Sequence, residues 1–279
     1  MTTPDLTHSA SLAAPRSASR LARTLADAWI IAGRDLAHWV AQPSTVIVGW
    51  LFPVMIAVLF GQLFGGAIGG SGGQDYIAFL IPGMLALTVF FGIESTVTSV
   101  ATDASRGVTD RFRSLPMSGV AVVLGRCIAD MLASVIGLTT MIAAGLLLGW
   151  RWHDGLTGAV AAVGLLLMLR FALLWAGIFL GLVIRPEGVV MVQMLVWPVG
   201  FLSSVFVDPA TMPGWLAAIA QWNPLSSTAT AVRALFGNPG HGGNDWVVEH
   251  AILLSMCWPV LLVAVFLPLA AWRYRRLAG

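Results

Sequence analysis

Lysine is absent from this chain of 279 residues, and its fifteen basic residues are all arginines. A Walker A phosphate loop needs a lysine that reaches the β- and γ-phosphates of ATP. The chain therefore cannot bind ATP through such a loop. Any ATP-driven work would depend on a partner protein that carries the lysine.

Charged residues are also scarce, at 10% of the chain, whereas hydrophobic residues make up 58%. Soluble domains contain about 25% charged and about 45–50% apolar residues. The composition excludes an ordinary water-soluble domain and is typical of a membrane protein. The net charge of +2 is too small to indicate a nucleic-acid-binding surface, and we predict no nucleic-acid partner.

Six long apolar stretches predict an all-α, polytopic membrane protein with six transmembrane helices. A membrane-spanning helix needs about 20 apolar residues. Stretches of about that length lie at residues 44–64, 76–101, 126–149, 159–184, 189–207 and 250–272. The two cysteines, Cys127 and Cys257, fall in opposite halves of the membrane in this scheme, which excludes a disulfide bond between them.

The arginines are concentrated in alternate segments between the predicted spans. The segments on one side, including both termini, hold eleven of the fifteen: Arg16, Arg20, Arg23, Arg34, Arg106, Arg111, Arg113, Arg185, Arg273, Arg275 and Arg276. The other side holds Arg151 and Arg233, while Arg126 and Arg170 fall within spans. Because basic residues favour the cytoplasmic side of a membrane, we expect both termini in the cytoplasm.

Two segments before the first span differ in character. Residues 1–19 are polar and predict a disordered cytoplasmic tail. Residues 20–43 carry apolar side chains at helical spacing, which predicts an amphipathic helix at the inner membrane surface. Packing of this helix on a cytosolic partner is the alternative, and both arrangements are compatible. Residues 44–279 would then form the transmembrane domain.

The last outer loop, residues 208–249, is the longest segment between spans. It contains two apolar parts that predict short re-entrant or interfacial helices, which are tolerated at membrane depth when protein covers them. Four side chains in and after the loop could bind a metal: His241, Asp245, Glu249 and His250. Their spacing matches no standard zinc pattern, and we predict solvated loop residues without a metal.

The inner loop at residues 103–118 carries charges of both signs and a short apolar element. Phe112 and Leu115 stand three residues apart, on one side of a short helix that Pro116 ends. Such an apolar knob between arginines suits a groove on a cytosolic protein. A charged loop that lies against lipid headgroups explains the same residues equally well.

Four ionisable residues fall within the predicted spans. Glu94, Arg126 and Asp130 lie at comparable depths near the inner membrane face, where a buried cluster would offset the cost of each charge. We favour a structural role for this cluster over contact with a substrate. Arg170 lies near the middle of the fourth span and should face the bundle interior or a subunit interface. For Arg170, a structural and a functional role remain equally open.

Residues 103–131 (DASRGVTDRFRSLPMSGVAVVLGRCIADM) resemble the hallmark region of type-two ATP-binding-cassette (ABC) exporter permeases, especially the daunorubicin-resistance group. The shared features are the acidic and basic loop with glycine, the short helix that ends in Leu-Pro, and a Gly-Arg followed by Asp in the next span. The resemblance extends to the amphipathic helix, the six spans and the last outer loop with Trp222, Asn223, Pro224 and Arg233.

The resemblance implies a transport subunit without catalytic residues. The inner loop would be the coupling helix that sits in a separate nucleotide-binding subunit, through Asp103, Arg106, Gly107, Asp110, Arg111, Phe112, Arg113, Leu115 and Pro116. ATP and magnesium would bind to that partner, and no cofactor to this chain. Two permease subunits, identical or paralogous, would move an amphipathic or hydrophobic drug or lipid across a bacterial cell membrane.

The alternative is a secondary transporter driven by protons or sodium. Such transporters place carboxylates or broken helices at the middle of the membrane. Only Glu94 and Asp130 qualify here, and both lie towards the inner face. We therefore rank this alternative below the exporter. The spans contain no combination of nucleophile, base and metal ligands that would indicate an intramembrane enzyme.

Overall fold

A computed structural model describes residues 20–41, 43–68, 74–105, 119–240 and 246–276. The predicted tail at residues 1–19 lies outside these ranges. The described residues form α-helices joined by turns, without a β-strand among them, which confirms the all-α prediction. The helices are α1 (Arg20–Ala41), α2 (Pro43–Ile68), α3 (Gln74–Ser105), α4 (Gly119–Leu147), α5 (Gly155–Val183), α6 (Val189–Phe201), α7 (Gly214–Gln221), α8 (Pro224–Leu235), α9 (Trp246–Glu249) and α10 (Ala251–Arg276).

Four of the described helices are long and apolar enough to cross a membrane, namely α3, α4, α5 and α10. Helix α6 and the apolar part of α2, at Gly49–Gly65, are shorter. A multi-pass membrane protein follows from these four helices. The remaining two predicted spans correspond to α2 and α6.

Helix α3 lies at the centre of the bundle and packs against α2, α4, α5, α6 and α8. Its residues Leu80, Ile81, Met84 and Leu85 are fully buried. Helix α10 packs on α5 and α8 and is the least buried of the four long helices. The core therefore surrounds α3, and α10 lies at the periphery.

The bundle has two polar ends, which we name after a residue at each. The Asp103 end is where α3 and α5 finish and α4 begins, and α1 and the end of α10 lie there. The Arg233 end is opposite, where α4 finishes and where α7 and α8 lie. At that end the indole nitrogen of buried Trp150 donates a hydrogen bond to Asn238 Oδ1 at 2.9 Å.

The fifth predicted span, at residues 189–207, is longer than the helix that forms there. Helix α6 ends at Phe201, and the following residues up to Asp208 are irregular. The Ser204 backbone N–H donates to Ser226 Oγ instead of continuing the helical ladder, and Arg233 binds the carbonyls of Ser204 and Val205. These bonds to α8 satisfy the backbone, so the helix can stop inside an apolar stretch.

Helices α7 and α8 follow this break and fold back on the bundle. Asn223 caps α8, because its side-chain oxygen accepts a hydrogen bond from the Leu225 N–H. The Asn223 amide also donates to the carbonyls of Val199 and Leu202, which anchors the cap to the end of α6. Most of α8 is buried against α3, α5 and α10.

Candidate coupling site and intramembrane polar network

Most of the predicted coupling residues lie outside the described residues. These are Arg106, Gly107, Asp110, Arg111, Phe112, Arg113, Leu115 and Pro116. The first of the set, Asp103, lies in the last turn of α3 and is described. Its neighbours show how the base of the loop is joined to the rest of the bundle.

Asp103 is shared by two arginines from two other helices. Its Oδ2 accepts a hydrogen bond from Arg126 Nη1 on α4 at 2.8 Å and lies 3.5 Å from Arg34 Nη2 on α1. Arg34 also binds its neighbour Asp35, with Nη2 2.8 Å from Oδ1. We call Arg34, Asp35, Asp103 and Arg126 the Asp103 ion group. It joins α1, α3 and α4 at the point where the predicted coupling loop begins.

The charge of Arg34 is stable in this setting. Burial disfavours its charge, but the hydrogen bonds and charges of Asp35 and Asp103 outweigh burial and raise the pKa of Arg34 above its ordinary value. The guanidinium is therefore charged at any physiological pH, and it joins α1 to α3 through the carboxylate of Asp103.

Below the ion group, α1 packs closely on α4. Ala28, Ile31 and Ala32 form its buried strip, whereas Trp29 and Ile30 on other sides are 62% and 66% exposed. A Cβ added at Gly125 of α4 would lie 2.5 Å from the Ala28 carbonyl oxygen. The missing side chain at Gly125 thus sets how near α1 approaches the bundle.

A second polar group lies deeper and joins α3, α4 and α5. Its centre is Arg170, whose side chain is 1% exposed. Arg170 donates from Nε to Ser134 Oγ at 2.8 Å and from Nη2 to Thr96 Oγ1 at 2.9 Å. The Thr96 hydroxyl in turn donates to Asp130 Oδ2 at 2.7 Å, and Arg170 Nη2 lies 3.5 Å from the same oxygen. We call Thr96, Asp130, Ser134 and Arg170 the Arg170 network.

Glycine makes room for this buried cation. A Cβ at Gly92 of α3 would lie 2.8 Å from Arg170 Nε. The hydroxyls of Thr96 and Ser134 act as both donors and acceptors, so they bridge the guanidinium to Asp130. Arg170 faces the bundle interior, which is one of the two positions that the sequence predicted for it.

The pairing of the other intramembrane charges differs from the prediction. Arg126 binds Asp103, and Asp130 binds the Arg170 network, so neither forms the expected cluster with Glu94. Asp130 pairs with Arg170 of α5 rather than with Arg126, four residues before it on its own helix. Glu94 Oε1 is buried without a hydrogen-bond partner among the described residues.

Sequence reasoning did not identify Thr96, Ser134, Gly92 or Gly125. Their residue types are common in membrane helices and carry no chemical signature alone. Ser134 lies four residues after Asp130, on the same face of α4, and this spacing is the one available signal. The other contacts join residues far apart in the chain and depend on how the helices pack.

At the opposite end, Arg233 is fully buried among backbone carbonyls. It donates from Nε to Phe79 O at 2.8 Å, and from Nη2 to Ser204 O and Val205 O at 2.9 and 3.0 Å. Its guanidinium carbon lies 3.7 Å from the centre of the Phe79 ring, in a cation–π contact. Arg233 thus joins α3, α8 and the break after α6.

The predicted absence of a metal site stays a prediction, because His241 and Asp245 lie outside the described residues. Within the described part of the chain, no group of three His, Cys, Asp or Glu side chains could hold a metal ion. His250 Nδ1 is 2.9 Å from the Trp246 carbonyl oxygen, and its ring stacks on the Trp246 indole.

Comparison with known proteins gives matches over most of the chain. The family model described as ABC-2 type transporter matches residues 27–236. The daunorubicin resistance ABC transporter permease protein DrrB1 of Streptomyces coeruleorubidus is 38% identical over 264 residues, which cover 94% of this chain and 89% of the relative. The doxorubicin resistance ABC transporter permease protein DrrB of Mycobacterium tuberculosis is 26% identical over 236 residues, covering 80% and 81%.

A third relative comes from a different group of organisms. The putative transport permease ycf38 of Cyanophora paradoxa is 24% identical over 216 residues, which cover 76% of this chain and 72% of the relative. The family match begins in α1 and ends just after α8, so it includes the Asp103 ion group, the Arg170 network and Arg233.

Proposed function

Because this chain belongs to the ABC-2 type transporter family, and is a permease subunit rather than an enzyme, we propose that it exports an amphipathic or hydrophobic drug or lipid. The membership confirms the resemblance at residues 103–131. The observation that carries the proposal is 38% identity, over 94% of the chain, to a daunorubicin resistance permease. Export would run outward across a bacterial inner membrane, whose lipid would surround the chain.

The family implies an ATPase partner. We propose that the partner is a separate nucleotide-binding subunit that holds ATP and magnesium, while this chain holds no cofactor. The absence of lysine supports this division, because a Walker A loop cannot form here. Residues 103–118 would dock on the partner. The Asp103 ion group supports this assignment, since a push on the loop would reach α1, α3 and α4 together.

We propose six spans, with the Asp103 end in the cytoplasm. Helix α6 has 13 residues. Its length is therefore about 20 Å, which is shorter than the hydrocarbon core of about 30 Å. The irregular residues 202–208 would complete the crossing. Non-helical backbone is tolerated at this depth when protein covers it. The contacts from Arg233 and Asn223 supply that cover, which also supports re-entrant α7 and α8.

We further propose that two permease chains, identical or paralogous, enclose the pathway. Large apolar side chains on α2 and α6 are exposed in the single chain, including Leu51, Met55, Met194 and Phe201. Lipid and a second subunit would share this surface.

The test uses inverted membrane vesicles from cells that express the chain with a soluble ABC ATPase. We expect ATP-dependent accumulation of daunorubicin in these vesicles. The double variant Phe112→Ala and Leu115→Ala should abolish accumulation while ATP hydrolysis continues, because the apolar knob no longer engages its groove. Trp215→Ala on α7, at the opposite end of the bundle, serves as the control and should transport normally.

Two results would contradict the proposal. Accumulation without ATP, driven by a proton or sodium gradient, would favour the secondary transporter. Retained coupling in the double variant would remove residues 103–118 from the contact with the ATPase.

A further inference from the structure

Glu94 is the carboxylate of the predicted cluster that neither Arg126 nor Arg170 binds. Arg126 is bound to Asp103 and Arg170 to Asp130, while Glu94 Oε1 is buried without a partner among the described residues. An intramembrane carboxylate without a cation is costly to keep charged. A lone intramembrane carboxylate is either protonated or paired with a cation, and no basic side chain is paired with Glu94 among the described residues.

Glu94 lies on a different face of α3 from the residues that contact α4 and α5. The buried face of α3 holds Thr96 and Gly92, which contact Asp130 and Arg170. Glu94, Ser95 and Thr98 follow Phe91 at three, four and seven residues. This helical spacing places the four residues together on a different face. Ser95 and Thr98 are exposed.

The hydroxyls on this face are satisfied by their own helix. Ser95 donates to the Gly92 carbonyl at 2.9 Å, and Thr98 donates to the Glu94 carbonyl at 2.8 Å. They therefore place no demand on a ligand, and they leave a polar surface that lipid does not favour. Glu94 is the group on this face whose oxygen still needs a partner.

Aromatic rings lie one helical turn from Glu94. Phe91 is three residues before it, and side chains at this spacing are neighbours on a helix. The Phe91 ring centre is 4.7 Å from that of Trp197 on α6. Trp197 also contacts Phe52 of α2 at 5.2 Å and Phe201 of α6 at 6.0 Å. Phe201 is 46% exposed, so the aromatic group reaches the surface of the single chain.

We propose that Glu94, together with Phe91, Trp197 and Phe201, forms a binding site for an aromatic organic cation. The carboxylate pairs with the ammonium group, and the rings stack on the flat apolar body and attract the positive charge through their faces. The site deepens the proposed export function, on which it rests, by naming the charge and shape of the substrate. Helices α3 and α6 contribute its residues.

The experiment compares two probes that differ in charge. Daunorubicin carries an amine that is protonated at neutral pH, and its N-acetyl derivative keeps the ring system without the charge. Binding to the purified permease in lipid nanodiscs is measured by fluorescence anisotropy. We expect the wild type to bind daunorubicin about tenfold more tightly than the N-acetyl derivative, because only the charged amine makes a charge-assisted hydrogen bond to Glu94.

Variants separate the carboxylate from the rings. Glu94→Gln should raise the Kd for daunorubicin about tenfold and change that for the N-acetyl derivative by less than about twofold. Trp197→Leu should weaken binding of both probes. Glu187→Gln removes an exposed charge from the turn before α6 and is the matched control, with no expected change. Glu94→Gln removes a charge from the membrane, so insertion should not suffer.

Each outcome decides between the two proposals. Equal binding of the two probes by the wild type, or an equal effect of Glu94→Gln on both, would overturn the cation site. If vesicles still accumulate daunorubicin with ATP, the export function survives that result. If the wild type neither binds the probes nor accumulates daunorubicin, both the site and drug export fail.

Discussion

Arg170 illustrates how a single cation is accommodated inside an apolar bundle. Three of the groups around it, from Thr96, Ser134 and Asp130, come from two other helices. Thr96 bridges the guanidinium to the Asp130 carboxylate, and Ser134 bridges it to the Asp130 backbone carbonyl. These hydrogen bonds offset the cost of desolvating both charges. One guanidinium nitrogen, Nη1, is buried without a partner among the described residues.

Removing one member of this network should cost more than removing two. Arg170→Met leaves Asp130 without its cation, and we expect the free energy of unfolding to fall by about 3–5 kcal/mol. The double variant Arg170→Met and Asp130→Leu should recover most of that loss, because no charge remains unpaired. Unfolding of the purified protein in mixed micelles with increasing SDS measures the difference.

Insertion into the membrane should be retained in both variants and serves as the control. A single variant as stable as the wild type, or a double variant no better than the single one, would show that Arg170 and Asp130 do not depend on each other.

The identity of these charged residues could be read from the sequence, but their partners could not. The sequence predicts a cluster of Glu94, Arg126 and Asp130, because the three residues lie at similar depth. The structure instead pairs Asp130 with a residue on α5 and Arg126 with the last turn of α3. Choices among partners on different helices depend on packing geometry, and Thr96 and Ser134 have no unusual sequence signal.

At the scale of the helices, α1 is held to the bundle by two different kinds of contact. The Asp103 ion group holds its second half, and the close approach at Gly125 holds its buried strip. The exposed Trp29 and Ile30 leave an apolar surface on other sides of the helix. This arrangement supports the proposed position at the inner membrane surface, where lipid would cover that surface.

A side chain at Gly125 should push α1 away from α4. Gly125→Leu is expected to impair ATP-driven daunorubicin accumulation and to make α1 more accessible to protease, because the Ala28 carbonyl blocks the added Cβ. Gly33→Ala on α1 is the matched control, since nothing lies within 4 Å of a Cβ there. Normal transport and normal protease resistance in Gly125→Leu would show that the close approach is unimportant.

The helices themselves were largely predictable, and their ends less so. The amphipathic segment at residues 20–43 contains α1, and each apolar stretch except the fifth overlaps a long helix that extends beyond it. The fifth stretch ran on to residue 207 because its composition stays apolar, whereas α6 ends at Phe201. Ser204 donates from its backbone N–H to Ser226 and accepts from Arg233, both more than 20 residues away, and these hydrogen bonds make the early end possible.

For the whole molecule, orientation rests on the arginine distribution. The Asp103 end carries Arg34, Arg126 and, near the end of α10, Arg273, Arg275 and Arg276. The sequence predicts this asymmetry and a direction across the membrane. It cannot identify the helices that surround α3, because every long apolar stretch has a similar composition.

Labelling from each side of the membrane tests the direction. Ser105 and Gly240 are exposed at opposite ends of the bundle, and Cys257 is an exposed native cysteine to be replaced by serine. In that background we expect Ser105→Cys to react with a membrane-impermeant maleimide only in inverted vesicles. Gly240→Cys should react only in intact cells or spheroplasts.

The labelling result bears on more than the topology. Reaction of Ser105→Cys from the outside would place residues 103–118 away from any cytosolic ATPase and would reject the coupling assignment. Reaction from both sides would indicate a mixed insertion, which the arginine asymmetry argues against.

Arg233 sets a limit on how such a bundle moves. Its bonds to Phe79, Ser204 and Val205 join three parts of the chain, and separating them would leave buried carbonyls unpaired at about 1–3 kcal/mol each. We therefore expect these three parts of the chain to stay together as one rigid unit when the other helices rearrange.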